Sequence, residues 1–360
     1  MKEQKTIALL PGDGIGPEVT AQAVKALEKV CQEFGRSLDF KEGLIGAAAI
    51  DATGDPFPDT TEALCKSSDA ILFGAIGDPR YDNDPNATIR PEQGLLRMRK
   101  SLGLYCNIRP VTTYAELYDI SPLKNKVIEG VDFVVYRELT GGMYFGEPRG
   151  RTEDGRTAFD SCVYSVHEIR RIAKLAFLTA QRRRGKLTMV DKANVLATSR
   201  LWRETVEGMS PDYPEVDLEF MFVDNAAMKM IQQPTHFDVV LTENLFGDIL
   251  TDEASVITGS MGMLPSASVG DGLGLFEPIH GSYPEAAGMG RANPFAAILS
   301  AAMLLEESFG WINESRCIAD AVKEIIRIGI CTEDLQPSSK HSTDEVGDEV
   351  AAAIHLNVPA

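Results

Sequence analysis

The six cysteines, Cys31, Cys65, Cys106, Cys162, Cys317 and Cys331, include no C-x-x-C pair. Their scatter excludes a disulfide framework and suits reduced thiols in a cytosolic chain. Positive charge is also short: 35 Lys and Arg stand against 53 Asp and Glu, a net charge of −18. That balance argues against nucleic acid and anionic membrane as partners. No apolar run reaches the roughly 18 residues that a membrane span needs, and the first ten residues do not read as a signal peptide. Internal repeats, low-complexity tracts and flexible linkers are missing as well. What remains is a chain of 360 residues with 44% apolar content, enough for a large core and for two domains.

Near the start, Lys5–Leu10 reads as a buried strand that runs into Pro11-Gly12-Asp13-Gly14-Ile15-Gly16-Pro17. A helix follows, with Pro17 in its first turn, Val19, Ala23, Leu27, Val30, Cys31 and Phe34 on one face, and Gly35 as its stop. This turn is not a Rossmann fingerprint. Its glycines are spaced G-x-G-x-G, and Pro17 stands where a third glycine would allow close packing. Asp69–Gly77 reads as a second buried strand ending in a Gly-containing turn.

From Val131 onward one pattern recurs. A β-rich apolar run ends abruptly in charged or amide residues: Arg137-Glu138, Asp191-Lys192-Ala193-Asn194, Asp224-Asn225 and Glu243-Asn244. Helical patterns over His167–Arg184 and Thr198–Met209 lie between several of these runs, which predicts α/β architecture. In open α/β sheets ligands bind beyond the carboxyl ends of the strands, the position of Arg137, Lys192, Asp224 and Asn244. Leu139–Asp160 has five glycines and no helical period, and reads as a protruding arm that packs on a partner. Helices are expected at Phe295–Glu307, Cys317–Gly329 and Thr343–His355.

The most informative stretch is Leu241–Pro265, L-T-E-N-L-F-G-D-I-L-T-D-E-A-S-V-I-T-G-S-M-G-M-L-P. If Gly247–Ile257 is helical, Asp248 and Asp252 share one face about one turn apart. Two carboxylates so placed suit a hard divalent cation, Mg²⁺ or Mn²⁺. They also suit a solvated acidic helix start, favoured by the helix dipole. The Gly-rich, apolar T-G-S-M-G-M-L-P-S that follows is unlike an ordinary exposed connection.

N-L-F-G-D-I-L-T-D with its G-S-M-G-M-L-P-S tail resembles the hallmark segment of the isocitrate/isopropylmalate dehydrogenase family. The resemblance extends from L-P-G-D-G-I-G-P-E at Leu10–Glu18 to S-T-D-E-V-G-D at Ser342–Asp348. It implies a two-domain α/β fold with a central mixed sheet flanked by helices. Residues 1–104 and 259–360 would form a cofactor-binding domain, and residues 105–258 a substrate, metal and dimerisation domain with an arm at about 139–160. It further implies Arg99, Arg109 and Arg137 as the substrate's carboxylate partners, a role for which planar guanidinium is suited. Asp224, Asp248 and Asp252 would serve the metal, with Asp224 also facing substrate. Lys192 would act on the substrate hydroxyl and Tyr144 would protonate the enolate carbon. An aromatic packing role in the arm is the other reading of Tyr144. By the same resemblance Lys192 and Asp224 reach the site from a second subunit, so a homodimer shares its active sites.

For the cofactor, the implied contacts are Gly77, Glu92, Gly281, Ser282, Glu285, Ala286, Gly288 and Asn293. Family members that use NAD usually carry Asp-Ile where this chain has Glu285-Ala286; a glutamate there can still accept from a ribose hydroxyl and repel a 2′-phosphate, so NAD is expected. On the predicted helix Arg90–Lys100, Glu92, Leu95, Leu96 and Arg99 share a face. That face is either core-directed with flanking charges or the wall of an apolar pocket. Burying an isopropyl group there contributes about 2 kcal/mol, whereas an unpaired carboxylate costs several. The expectation is therefore NAD-linked oxidative decarboxylation of (2R,3S)-3-isopropylmalate to 4-methyl-2-oxopentanoate and CO₂, a step of leucine biosynthesis in the cytoplasm. The alternatives are a sister dehydrogenase of tartrate, D-malate or homoisocitrate, a catalytically silent regulatory subunit, and a metal-binding interaction module.

Overall fold

The computed structural model describes residues 4–83 and 87–355. The chain divides into two compact units, residues 1–104 with 260–360, and residues 105–259.

In the first unit five strands lie in the order Ser37–Glu42, Gln4–Gly12, Ala70–Ala75, Gly274–Pro278, Pro265–Val269. The first four are parallel and the last is antiparallel. This is not the all-parallel half of a Rossmann fold. Ala70–Ala75 is buried at every residue, as a parallel strand covered on both faces must be. The helix after the first strand spans Gly16–Phe34, and Gly35 ends it at φ 67°, where its N–H donates to the Cys31 carbonyl. Phe295–Phe309 is a helix buried on almost all sides. It packs against Gly16–Phe34 and Ile312–Arg327, and Thr343–Ala353 closes on those two. The third of these helices begins five residues before the expected Cys317, because Ile312–Arg327 continues the buried stripe Ser315, Ile318, Val322 and Ile325 backwards. Ser342 and Glu345 form a capping box on the last helix, which explains the S-T-D-E run. Leu10, Ile45, Phe57, Phe73, Met98 and Leu275 form this unit's core; each such side chain contributes about 1.5–3 kcal/mol on burial.

In the second unit the order is Cys106–Thr112, Asp132–Glu138, Val239–Thr242, Lys186–Asp191, Asp217–Phe222. The first strand is antiparallel to its neighbour and the other four are parallel. Thr242 is in register with Arg137 and with Val190, and Asp191 with Phe222. The carboxyl ends of the four parallel strands therefore share one edge, which carries Arg137, Lys192, Asp224 and Asn244. Helices Val166–Arg182, Ala197–Met209, Val223–Gln232 and Asn244–Ser255 cover the sheet. Phe133, Met230, Phe237, Val240, Leu250 and Ile257 form the core. In the arm, a 3-10 turn at Gly142–Tyr144 precedes a small antiparallel ribbon, Gly150–Arg151 with Ala158–Phe159, whose residues are all exposed.

Candidate active site

The Asn244–Ser255 helix carries the centre of the second unit's site. Glu243 caps it by accepting from the Phe246 N–H. It starts at Asn244, three residues before the expected Gly247, and gives way to a 3-10 turn at Val256–Thr258. Asp248 and Asp252 project one turn apart, as the spacing predicts. Each carboxylate meets an arginine from the neighbouring strands. Arg137 Nη1 lies 2.5 Å from Asp248 Oδ1, and Arg109 Nη1 lies 3.3 Å from Asp252 Oδ1 and donates to Thr251 Oγ1 at 2.6 Å. The Tyr144 hydroxyl donates to Asp248 Oδ2 at 2.6 Å. Burial, then the hydrogen bond to Asp248, push the Tyr144 phenol up to about 12.

Arg137 is buried, and its placement depends on two residues of the N-L-F-G-D run. A Cβ at Gly247 would stand 2.5 Å from Arg137 Cγ, so only glycine lets the arginine stem lie across the helix. Asn244 accepts from Arg137 Nε on its carbonyl at 3.0 Å and from Nη2 on its side-chain oxygen at 3.0 Å.

Lys192 follows the Lys186–Asp191 strand, its N–H donating to Ser199 Oγ at 3.0 Å. Its Nζ forms a short ion pair with Asp224, in the first turn of Val223–Gln232. That hydrogen bond holds the Asp224 carboxyl below its ordinary range. Among the described residues, no set of three or more His, Cys, Asp or Glu side chains converges as a metal cage. Within one chain Asp248 and Asp252 thus stand as a pair of hard oxygen donors, and Asp224 does not complete them. That donor set fits Mg²⁺ or Mn²⁺, which take one or two carboxylates together with waters and substrate oxygens.

In the first unit, Arg99 pairs with Glu277 at 2.7 Å, and its buried Nε has no partner among the described residues. Leu95 is half-buried against this unit's core. Leu96 is 45% exposed, so the two leucines do not share one environment.

Four separate stretches meet around Ser282. The Ile15 N–H donates to the Ser282 carbonyl at 2.8 Å, and a Cβ at Gly14 would fall 2.0 Å from that oxygen. A Cβ at Gly77, where φ is 122°, would lie 3.0 Å from Glu92 Oε1 and 3.3 Å from Ser282 Oγ. Asp13, buried, ties the group together by accepting from Ala47, Ala48 and Gly77 N–H groups. Farther along the loop, the Glu18 carboxylate accepts from Gly288 and Gly290 N–H groups.

Beside this junction is a cavity of about 600 Å³, lined by Ile15, Met261, His280, Gly281, Tyr283 and Asn293 among others. His280 Nδ1 faces the Gly281 carbonyl at 2.9 Å, and burial lowers the imidazole pKa. In the neutral ring Nδ1 is then the donor, which leaves Nε2 a buried acceptor without a partner among the described residues. Asp334, on another wall, accepts from Asn293 Nδ2 at 3.0 Å and Ser260 Oγ at 2.5 Å. Apolar side chains interspersed with a few polar groups, one of them a buried acceptor without a partner among the described residues, fit a nucleoside that brings hydroxyl or amino donors. Of the expected contacts Gly281 and Asn293 line this cavity, whereas Glu285 is exposed and does not. Ala286 is buried within the loop.

Sequence reasoning passed over His280, Asp334 and Glu277. His280 had a visible signal, since an imidazole inside a Gly-rich loop has few packing roles. Glu277 had none, because its partner Arg99 is 178 residues away.

The isocitrate/isopropylmalate dehydrogenase description matches residues 6–350, and the chain belongs to that family. The 3-isopropylmalate dehydrogenase of Bacteroides fragilis is 54% identical over 343 residues, 95% of this chain and 96% of that protein. That of Bacillus subtilis is 54% identical over 356 residues, 98% of this chain and 97% of that protein. The Aquifex aeolicus enzyme of the same name is 51% identical, covering 97% of each chain. Among solved structures, isocitrate dehydrogenase from Methylococcus capsulatus superposes with a TM-score of 0.86 at 33% identity, covering 97% of this chain and 99% of that one.

Proposed function

We propose that this chain is an NAD- and divalent metal-dependent dehydrogenase that converts (2R,3S)-3-isopropylmalate to 4-methyl-2-oxopentanoate and CO₂, the leucine-biosynthetic step. One observation carries the reading: two buried or half-buried arginines are each held against a carboxylate of one helix, beside a tyrosine that shares one of them. Arg109 and Arg137, with Arg99, bind the substrate's two carboxylates, exchanging a protein carboxylate for a substrate one. Asp248 and Asp252, with Asp224, hold Mg²⁺ or Mn²⁺. A cation held there would supply Lewis acidity to the reaction. Lys192 is the base-side residue, acting on the substrate hydroxyl through a water that takes its proton, and bound NAD would accept the hydride. Loss of CO₂ leaves an enolate, and Tyr144, whose raised pKa keeps its proton in place at neutral pH, donates that proton to carbon.

The cavity beside His280 receives the adenosine half of NAD. Gly281, Ser282, Ala286, Gly288 and Asn293 supply its loop, Glu285 borders it, and Gly77 and Glu92 continue it. Leu96, with Leu95 behind it, meets the isopropyl group. The working form is a cytoplasmic homodimer in which Lys192 and Asp224 serve the partner's Asp248 and Asp252. Two observations support this. Lys192 and Asp224 pair away from the other carboxylates, and exposed apolar side chains, Val195, Met228, Ile249 and Val256, stand on or beside the same elements. Unsatisfied apolar surface of this kind marks protein interfaces.

No described helix is long and apolar enough to cross a membrane. The deciding assay follows NADH formation with 3-isopropylmalate, malate, tartrate and isocitrate in Mg²⁺. The highest kcat/KM is expected for 3-isopropylmalate, and a higher value for any of the others overturns the substrate assignment.

A further inference from the structure

The Tyr144 turn and Arg137 are joined by a buried polar cluster that the reaction itself does not use. Asn244, 1% exposed, sits at its centre with every hydrogen-bonding group engaged. Its N–H donates to the Tyr164 hydroxyl at 3.0 Å, and that hydroxyl donates to Glu243 Oε2 at 3.2 Å. Its carbonyl and side-chain oxygens take Arg137 Nε and Nη2, each at 3.0 Å. Its Nδ2 donates to the Gly141 carbonyl at 3.3 Å. Gly141 opens the 3-10 turn that ends in Tyr144, and its N–H donates to the buried Glu138 carboxylate at 2.7 Å. The ring of Tyr164 fills the space a side chain would need on that turn: a Cβ at Gly142 would stand 2.4 Å from its hydroxyl.

The chemistry of the residue matters as much as its position. A carboxylate in the place of Asn244 would offer Arg137 the same two-point fork, but it would neutralise the guanidinium inside a low-dielectric interior. The amide holds the Nε and Nη2 edge without adding a second carboxylate to Asp248, which already pairs with Nη1. It also supplies the donor that Gly141 requires, which a carboxylate lacks.

We propose that Asn244 is a positioning residue for the reaction: its neutral fork aims Arg137 at the substrate carboxylate without adding a competing negative charge, and its Nδ2 fixes the turn that presents Tyr144. This rests on the reading of Arg137 as a substrate-binding residue. Misplacing a reacting or binding group by about 1 Å can cost on the order of 10²-fold in rate, so a residue that touches neither substrate nor cofactor still controls turnover.

The test measures kcat and KM for both substrates in the full-length Asn244→Asp, Tyr164→Phe and Arg137→Lys enzymes and in the Asn244→Asp/Arg137→Lys double variant. Asn244→Asp preserves size, so it tests charge rather than packing. It is expected to raise KM for 3-isopropylmalate at least about tenfold, with KM for NAD within about twofold. Tyr164→Phe, isosteric, is expected to lower kcat by about threefold to tenfold through the loosened turn. In the Arg137→Lys background, Asn244→Asp should add less than about threefold, because the two act as one unit. An Asn244→Asp enzyme with unchanged KM for 3-isopropylmalate, or with both KM values raised alike, overturns the proposal while the role of Arg137 stands. An Arg137→Lys enzyme with wild-type KM overturns the substrate role of Arg137, and the proposal with it.

Discussion

The two units hold their candidate ligand groups differently. In residues 105–259 the expected site is a set of charges already satisfied by one another: Arg137 with Asp248, Arg109 with Asp252, Lys192 with Asp224. In the other unit the cavity beside His280 sets Ile15, Met261 and Tyr283 against Asn293, Asp334 and the Arg291–Glu333 ion pair, and His280 Nε2 is a buried acceptor without a partner among the described residues. The difference suits the ligand proposed for each. A small dianion and a cation are recognised by exchanging ion pairs, because an uncompensated buried charge would cost several kcal/mol in the free protein. A nucleoside is large and largely neutral, and is recognised by shape and a few directional bonds. Substitutions should therefore be severe and strongly coupled in the first case, mild and separable in the second.

The largest effects are expected at the charged face. Asp248→Asn and Lys192→Ala should each lower kcat by about 10³-fold or more as homodimers, because each removes a group acting on charge that develops during the reaction. Unfolding and refolding an equal mixture should restore about a quarter of wild-type activity, since half of the random dimers are hybrids and each hybrid has one intact site. Verified hybrids without recovery would place both residues in the same chain's site and remove the shared-site arrangement.

Next in size is the apolar contact. Leu96→Ser should cost about 1–3 kcal/mol in kcat/KM for 3-isopropylmalate and less for malate, which has no isopropyl group to lose. Leu95→Ser should instead lower thermal stability, because Leu95 packs on the core. Equal losses for the two substrates in the Leu96 variant would make that leucine a surface residue and no more.

At the nucleoside cavity the expected change is smaller. His280→Ala removes one neutral acceptor and should raise KM for NAD by about threefold to tenfold, leaving KM for 3-isopropylmalate unaltered. Glu285→Lys should shift the NAD/NADP preference toward NADP. The shift should be modest, because Glu285 lies outside the cavity lining. An unaltered ratio would move cofactor selection to residues within it.

The smallest effect concerns pH. Burial raises the Glu138 pKa despite the donors from Thr140 and Gly141 that favour its ionised form. The folded state therefore binds this proton more tightly than the unfolded state. The group's contribution to stability is complete below the ordinary glutamate range and declines as pH rises through the folded value. Denaturant titrations across that window should show a shallower decline in Glu138→Gln than in wild type. Identical slopes would mean that the carboxylate is fully stabilised by its donors.

Local patterns carried much of this arrangement. The one-turn spacing of Asp248 and Asp252, the proline start and glycine stop of Gly16–Phe34, and the charged ends of the parallel strands are short-range facts, visible because helix and strand periods act on neighbours. The partners of those groups are not short-range. Nothing in E-N-L-F-G-D announces that Asn244 will hold Arg137, 107 residues earlier, or that Gly247 is glycine because an arginine stem crosses it. The Pro91–Ser101 helix, which carries Glu92 and Arg99, shows the same boundary. Its period is legible, but which leucine faces core and which stays open depends on packing that only the fold supplies.

The unit that contains residues 105–259 is inserted into the other, and this sets an order of birth during translation. The strand Gly274–Pro278 lies beside Ala70–Ala75 within the first unit's sheet, so that sheet stays open until residue 278 has left the ribosome, and its covering helices arrive only by Ala353. All five strands of the inserted unit are complete at Thr242, and its last helix at Ser255. At about 5–20 residues per second, the interval between the two completions lasts on the order of 5–20 s. For that time the nascent chain displays a finished inner unit and an unfinished outer one, whose Ala70–Ala75 strand, apolar along its whole length, awaits its neighbour. Chaperone capture, or aggregation under overexpression, is therefore expected at the amino-terminal segment, although it is the first part of the chain to be made.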